Sequence, residues 1–263
     1  MQKRHRDKWQ YFNEQAYTTR KYVIPYIKKL LQPGTESTVL EIGCGEGGNL
    51  LPFVDMGCKV TGIDLSKGKI DKGKEFYSTH KNVANLTLIA DNIYNRNDLG
   101  KFDLIILRDV IEHIPNQEYF MSYFKCFFHA ETIVFFGFPP WQNPFGGHQQ
   151  ICQNRILSKM PYFHLLPIPL YKGVLKLFGE PESRINELLE IKETGISIER
   201  FQAIIKTNNF EIRDKTLFFI NPNYEVKFKL QPRKQNKVLA DIPVLRNFFT
   251  TCAYYLLSAK DMD

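Results

Sequence analysis

Long uninterrupted apolar runs are missing from this 263-residue chain, and with them the length a membrane-spanning helix needs. The opening segment MQKRHRDKWQYFNEQ has no apolar stretch of the kind a secretory signal carries, so a cytoplasmic protein is expected, soluble or peripheral at most. Cysteine is sparse: Cys44, Cys58, Cys126, Cys152 and Cys252 fall at no disulfide or metal-ligand spacing. Their odd number argues against a fully paired framework and for a reducing compartment. Internal repeats, low-complexity tracts and a recognised RNA-binding module are also lacking.

What is present suits one sizeable core. Hydrophobic residues make up 43% of the chain, enough for a single domain with an insertion or small cap. The formal charge of +7 favours an anionic partner: a phosphorylated or carboxylated substrate, a membrane surface or nucleic acid.

Residues 1–34 read as a helical lead-in, with Tyr17, Tyr22, Val23, Tyr26, Ile27 and Leu30 near helical spacing and Pro33-Gly34 as the stop. Four apolar runs suited to buried strands follow: Thr38 to Ile42, Lys59 to Ile63, Leu86 to Ala90 and Phe102 to Leu107, with a fifth from Thr132 to Phe138. Alternation of these runs with helical or loop stretches implies right-handed βαβ units and a parallel sheet. From 139 to 196 seven prolines are expected to break regular structure into short pieces, which reads as an inserted lid. Ser197 then caps a helix to about Asn208, Phe210 to Ile220 resumes the sheet, 221–247 is a basic loop, and Phe248 to Ser258 is the last strand. The expected fold is therefore α/β: a doubly wound, mostly parallel, Rossmann-like sheet with an insertion.

The segment Val39-Leu-Glu41-Ile-Gly43-Cys44-Gly45-Glu-Gly47-Gly48 places a glycine-rich turn between a buried strand and a helix. Such a turn lets the backbone approach a ligand closely. The pattern Gly43-x-Gly45-x-x-Gly48 also fits dinucleotide binding, so the neighbouring strand ends must discriminate. Asp64 ends the second strand, where a carboxylate can accept ribose hydroxyls. Asp91-Asn92 ends the third, where an acid can accept from an adenine amino group. The fourth runs into Arg108-Asp109-Val-Ile-Glu112-His113. These ends converge on one crevice at the carboxyl edge of the sheet.

In this ordered set of motifs, over residues 35–138, the chain resembles the class I S-adenosylmethionine-dependent methyltransferases, especially the ubiquinone and menaquinone biosynthesis branch. The resemblance implies a seven-stranded sheet with the last strand antiparallel, and S-adenosylmethionine as cofactor. It implies Gly43, Gly45 and Gly47 beside the methionine moiety and Glu41 reaching its ammonium group. Asp64 would hold the ribose and Asp91 with Asn92 would flank the adenine; Cys44, Leu65 and Arg108 are counted with this set. An NAD oxidoreductase would leave Asp91 and the Asp109 to His113 segment without a role.

Methyl transfer from a sulfonium depends chiefly on alignment and exclusion of water, but a hydroxyl acceptor must also lose its proton. His113, after the fourth strand, is the first catalytic candidate. His148, in the glycine-bearing loop after the fifth, is the second. The Asp109-x-x-Glu112-His113 spacing is similar to a divalent-metal segment of quinone-pathway O-methyltransferases that has Glu where this chain has Asp109. Asp109 and Glu112 are read instead as caps of the following helix, and no metal site is assigned.

The stretch from His164 to Phe178, apolar with two lysines, suits either an acyl chain or membrane interface or a cap over an aromatic substrate. Lys227 to Lys237 reads as a solvated basic loop. Three functional readings stay open: a methyltransferase for a small-molecule or lipid-linked acceptor, acting on oxygen; one for protein or RNA; or an S-adenosylmethionine-binding partner without turnover.

Overall fold

The computed structural model describes residues 7–260, so the first six residues of the expected lead-in lie outside the described residues. Helix α1 (Lys8–Thr18) begins at Asp7, whose carboxylate accepts from the Gln10 N–H at 2.9 Å. A π-helical stretch, Thr19–Val23, joins it to α2 (Ile24–Ile27). Phe12, Ala16, Val23 and Ile27 bury one face of this lead-in against the sheet.

The strands are β1 (Thr38–Ile42), β2 (Lys59–Asp64), β3 (Leu86–Ala90), β4 (Leu104–Arg108), β5 (Ile133–Phe138), β6 (Phe210–Ile220), β7 (Arg233–Lys234) and β8 (Cys252–Ala259). They form one sheet in the order β3-β2-β1-β4-β5-β8-β6-β7. β1 to β5 pair in parallel, and β8 lies antiparallel between β5 and β6. The sheet thus has one strand more than the seven expected. The addition, β7, is a two-residue exposed edge strand, too short to leave a hydrophobic pattern in the sequence.

Side chains alternate across each strand, so a nearly continuous apolar run feeds two cores at once. Leu40, Ile42, Ile105, Leu107, Phe136 and Phe138 face one side, where α5 (Gln117–Tyr123) and α8 (Ile198–Thr207) pack. Val39, Leu104, Ile106 and Phe135 face the other, under α1, α2, α3 (Leu51–Asp55) and α4 (Lys67–Tyr77). Ser197 caps α8 by accepting from the Arg200 N–H at 3.0 Å.

Three local expectations need correction. β4 starts at Leu104 because Asp103 is drawn off to β1, its carboxylate accepting from the Thr38 N–H at 2.7 Å and hydroxyl at 2.8 Å. β8 starts at Cys252 because Leu245–Phe248 forms a helical turn, held where the Asn247 side chain accepts from the Ile198 N–H at 2.8 Å. Between β5 and α8 the chain does break into short turns as far as Leu165, at Gln149–Ile151, Leu157–Lys159 and Phe163–Leu165, but beyond them prolines start helices. Pro169 sits in the first turn of α6 (Ile168–Leu177) and Pro181 precedes the 13-residue α7 (Glu182–Thr194), positions where no intrahelical N–H is required. These helices enclose a third core around Leu157, Tyr171, Leu175, Ile185 and Leu188.

Candidate active site

The strand order reverses between β1 and β4, and a crevice opens there at the carboxyl ends of the strands. Its floor is the turn after β1. Gly43 adopts φ +74°, and a Cβ added there would stand 2.6 Å from Val110 Cγ2. Only glycine therefore meets both the backbone and the space requirement. The Gly43 and Cys44 N–H groups donate to the Ile63 carbonyl at 2.7 and 3.1 Å, pinning the turn to the end of β2. Asp64 braces it from the other side, accepting from the Gly45 N–H at 2.9 Å and the Ser66 N–H at 2.8 Å.

The crevice has a volume of about 660 Å³ and is lined by Gly43, Asp64, Leu65, Asp91, Asn92 and His113 among the anticipated residues. Lys69, Tyr94, Pro115 and Phe120 also line it and were not anticipated. Lys69 had a sequence signal, since it lies one turn beyond Ser66, the N-cap of α4. Pro115 and Phe120 had none, because their placement depends on how the chain turns after β4.

Glu41, Cys44, Gly45, Gly47 and Arg108 are absent from this lining. Cys44 is buried, and Gly47 gives its carbonyl to the Tyr77 hydroxyl at 2.8 Å. Glu41 and Arg108 belong to a buried polar chain behind the turn. One Glu41 oxygen accepts from Asn49 Nδ2 at 2.7 Å; the other is buried without a partner. Arg108 donates to Asn49 Oδ1 at 2.8 Å, Thr19 Oγ1 at 3.2 Å and Asn223 Oδ1 at 2.7 Å, so it ties the lead-in and the loop after β6 to the end of β4. Burial pushes the Glu41 acid up to about 8, against the opposing pull of the Asn49 hydrogen bond and the Arg108 charge.

A second cavity, about 400 Å³, meets the crevice at Asp109. Lys8 and Tyr11 from α1, Asn143 and His148 from the loop after β5, and Asn223 and Lys227 after β6 line it. A third, of about 610 Å³, lies between the same histidines and α7. Asp109 and His148 both hold left-handed backbone, at φ +55° and +53°, a conformation costing a non-glycine residue about 1–2 kcal/mol. The Asp109 N–H is fixed to the Gly137 carbonyl at 2.7 Å.

His113 and His148 are brought together from loops far apart in the chain, with ring centroids 4.8 Å apart and planes at 76°. Burial lowers both imidazoles, His148 to about 3, so both are neutral. Glu112 completes the group: one ligand-type atom from each of Glu112, His113 and His148 lies within 4.8 Å of the others. Both Glu112 oxygens are buried and unpartnered, and burial, with the adjacent Asp109 charge, raises this acid well above the usual carboxylate range.

The capping expectation for Asp109 and Glu112 fails. Asn116 caps α5, accepting from the Tyr119 N–H at 3.2 Å, because its left-handed backbone turns the chain at the helix entrance. The Glu112 carbonyl instead accepts from Thr194 Oγ1 at 2.6 Å, and Gln117 Nε2 donates to the Ile111 and Thr194 carbonyls at 2.9 and 2.7 Å. The end of α7 thereby positions the Glu112–His113 turn.

A family model described as a methyltransferase domain matches residues 12–136. The ubiquinone biosynthesis O-methyltransferase of Rickettsia typhi is 28% identical over 100 residues, which cover 38% of this chain and 40% of that protein. The matched region thus spans about two fifths of the length of such curated relatives. Geranyl diphosphate C-methyltransferase from Streptomyces coelicolor A3(2), solved with Mg2+, geranyl diphosphate and S-adenosyl-L-homocysteine, shares the fold at a TM-score of 0.56 and 14% identity, covering 92% of this chain and 80% of that one. Magnesium protoporphyrin IX methyltransferase from Synechocystis PCC 6803, with bound S-adenosylhomocysteine, gives 0.53 at 15% identity, covering 96% and 88%. Glycine turn, strand-end acids, sheet order and the family match over residues 12–136 together support a class I S-adenosylmethionine-dependent methyltransferase domain with S-adenosylmethionine as cofactor. Its relatives by sequence include the ubiquinone biosynthesis O-methyltransferases.

Proposed function

We propose that this chain transfers the methyl group of S-adenosylmethionine to a hydroxyl oxygen of a small-molecule or lipid-linked acceptor. The observation that carries this reading is the meeting of the cofactor crevice with a second cavity at Asp109, beside the His113–His148 pair. In this reading Asp64 holds the ribose, Asp91 and Asn92 flank the adenine, and the free Glu41 oxygen receives the methionine ammonium behind Gly43. The acceptor lies in the cavity between Asp109, Asn143 and His148.

The acceptor oxygen attacks the methyl carbon in line with the departing sulfur, which leaves as a neutral thioether, and the hydroxyl proton passes to a neutral imidazole. Alignment supplies most of the acceleration, because the carbon is already activated. The proton step distinguishes oxygen transfer from transfer to a neutral amine, which is nucleophilic enough to attack before its proton leaves. The naming of the sequence relatives as O-methyltransferases supports the same choice.

A lipid-linked acceptor is supported by α6, where Ile168, Leu170 and Leu177 are exposed beside Lys172 and Lys176, a surface suited to an anionic bilayer interface. Among the described residues no helix is long and apolar enough to cross a membrane. Incubation with methyl-labelled cofactor and a panel of catechols and phenols, with and without polyprenyl chains, tests the proposal. An O-methyl ether identified by mass spectrometry and NMR is expected; exclusive N- or C-methylation, or no turnover with any hydroxylated acceptor, sinks it.

A further inference from the structure

We propose that the acceptor carries an oxyanion, a carboxylate or phosphate group, and that Lys227 recognises it in the cavity that meets the cofactor crevice at Asp109. In the segment Lys227 to Lys237, expected as a solvated basic loop, Lys229, Arg233, Lys234 and Lys237 are exposed. Lys227 is different: it is half-buried and lines the cavity.

The chain after β6 aims it there. Asn221 Oδ1 accepts from the Asn223 N–H at 2.9 Å and the Asn221 carbonyl from the Tyr224 N–H at 2.8 Å, which turns the chain into α9 (Tyr224–Phe228). Glu225 on this short helix is fixed to the lead-in, accepting from Lys21 Nζ at 2.7 Å and from the Tyr22 hydroxyl. Residues two apart on a helix do not share a face, so pinning Glu225 to the lead-in presents Lys227 to the cavity.

The groups around Lys227 are donors. Asn223 Oδ1 is taken by Arg108 at 2.7 Å and Asn221 Oδ1 by the Asn223 N–H, so each of these side chains has only its amide nitrogen left to offer. Neither nitrogen, nor the Tyr224 hydroxyl, makes a hydrogen bond among the described residues, and all three residues line the cavity. Burial pushes the Tyr224 phenol up to about 12, which keeps its proton in place for donation. Among the described residues that line the cavity, Asp109 is the one carboxylate, set against Lys8 and Lys227; Lys8 is drawn to Glu46 at 2.8 Å. A lysine among uncommitted N–H and O–H groups is complementary to an oxyanion, whereas a neutral substituent gives the cation nothing to pair with.

The inference rests on the reading of this cavity as the acceptor's, and the test separates the two. Full-length protein saturated with S-adenosylhomocysteine, so that no transfer occurs, is titrated calorimetrically with protocatechuate, its neutral amide and the corresponding phosphonate. At least one anion should bind about tenfold or more tighter than the amide, and the tighter anion identifies the group. In Lys227→Met the preference should shrink to about twofold or less while S-adenosylhomocysteine affinity is unchanged; Lys227→Arg should keep most of it and Lys229→Met all of it. Should Lys227→Met fail to fold, Lys227→Gln takes its place. Equal binding of amide and anions by the wild type, no binding of either anion, or a preference that survives loss of the Lys227 charge overturns the proposal, and Lys227 is then only a countercharge to Asp109. The same compounds are also incubated with methyl-labelled S-adenosylmethionine. Anion preference in binding without any O-methyl product strikes the O-methyl reading and leaves the anion site standing; O-methyl product with no anion preference strikes the anion site alone.

Discussion

Replacing Glu41 with glutamine should make the cofactor-free protein more stable at alkaline pH while weakening its hold on S-adenosylmethionine. Glu41 is fully buried on β1, with one oxygen held by Asn49 and the other unpartnered. Burial raises its pKa from 4.5 to about 8. Between those values the folded carboxyl keeps a proton that the unfolded chain has released, so the native state binds more protons and stability falls as pH rises. The slope is at most about 1.4 kcal/mol per pH unit, which over this interval reaches an upper bound of about 5 kcal/mol. Relaxation and entry of water will reduce that bound. Glutamine matches the protonated acid in shape and does not titrate, so the wild-type protein should lose ground to Glu41→Gln steadily from pH 4.5 and level off above 8. Denaturant unfolding of both proteins across pH 4.5 to 8.5, without cofactor, measures the difference. Cofactor binding adds a second readout: an ammonium group beside Glu41 favours the ionised carboxylate, so wild type at pH 7 should release up to one proton on binding, and the variant none. Calorimetry in buffers of different ionisation enthalpy detects that proton. A stability difference constant within about 0.5 kcal/mol over the whole range would refute the reasoning.

Four further outcomes follow from the same geometry. Asp64→Ala removes the acceptor for the Gly45 and Ser66 N–H groups together with the carboxylate proposed to hold the ribose, and should weaken cofactor binding about a hundredfold in calorimetric titration. Gly43→Ala places a Cβ 2.6 Å from Val110 Cγ2 and should lower cofactor affinity at least about tenfold; Val110→Ala in the same chain should restore part of it, and no restoration would disprove the clash. Arg108→Met leaves the half-buried Asn223 oxygen without its donor and the buried Asn49 oxygen with the Thr19 hydroxyl alone, and should cost about 2 kcal/mol in denaturant unfolding. Leu170→Asp with Leu177→Asp should abolish sedimentation with anionic vesicles while methylation of a water-soluble acceptor continues; unchanged sedimentation would remove α6 from the lipid contact.

Local pattern sufficed for the elements that place the cofactor. Thr38 to Ile42, Leu86 to Ala90 and Phe210 to Ile220 are strands with the expected bounds: the first is buried on both faces, and the other two, partly exposed, are short runs rich in apolar and β-branched residues that loops seldom share. Gly43 and Asp64 were legible for a related reason: each sits at a strand end, where the parallel βαβ order alone brings them to one edge. The α6 and α7 helices were obscured by proline, whose effect depends on whether it falls in the first turn or later, a distinction that composition does not record.

The sequence by itself therefore determined the parallel sheet, the glycine turn and the acids that line the crevice, all consequences of short-range pattern and strand order. Tertiary structure alone decided that Arg108 faces Thr19, Asn49 and Asn223, that Asn116 rather than Asp109 or Glu112 caps α5, and that His148 stands beside Glu112 and His113. The Arg108 and His148 contacts join residues far apart in the chain. The meeting of His148 with Glu112 and His113 follows from how the segment between β5 and α8 packs its own core and ties Thr194 to the Glu112 carbonyl, which no pattern within either loop encodes.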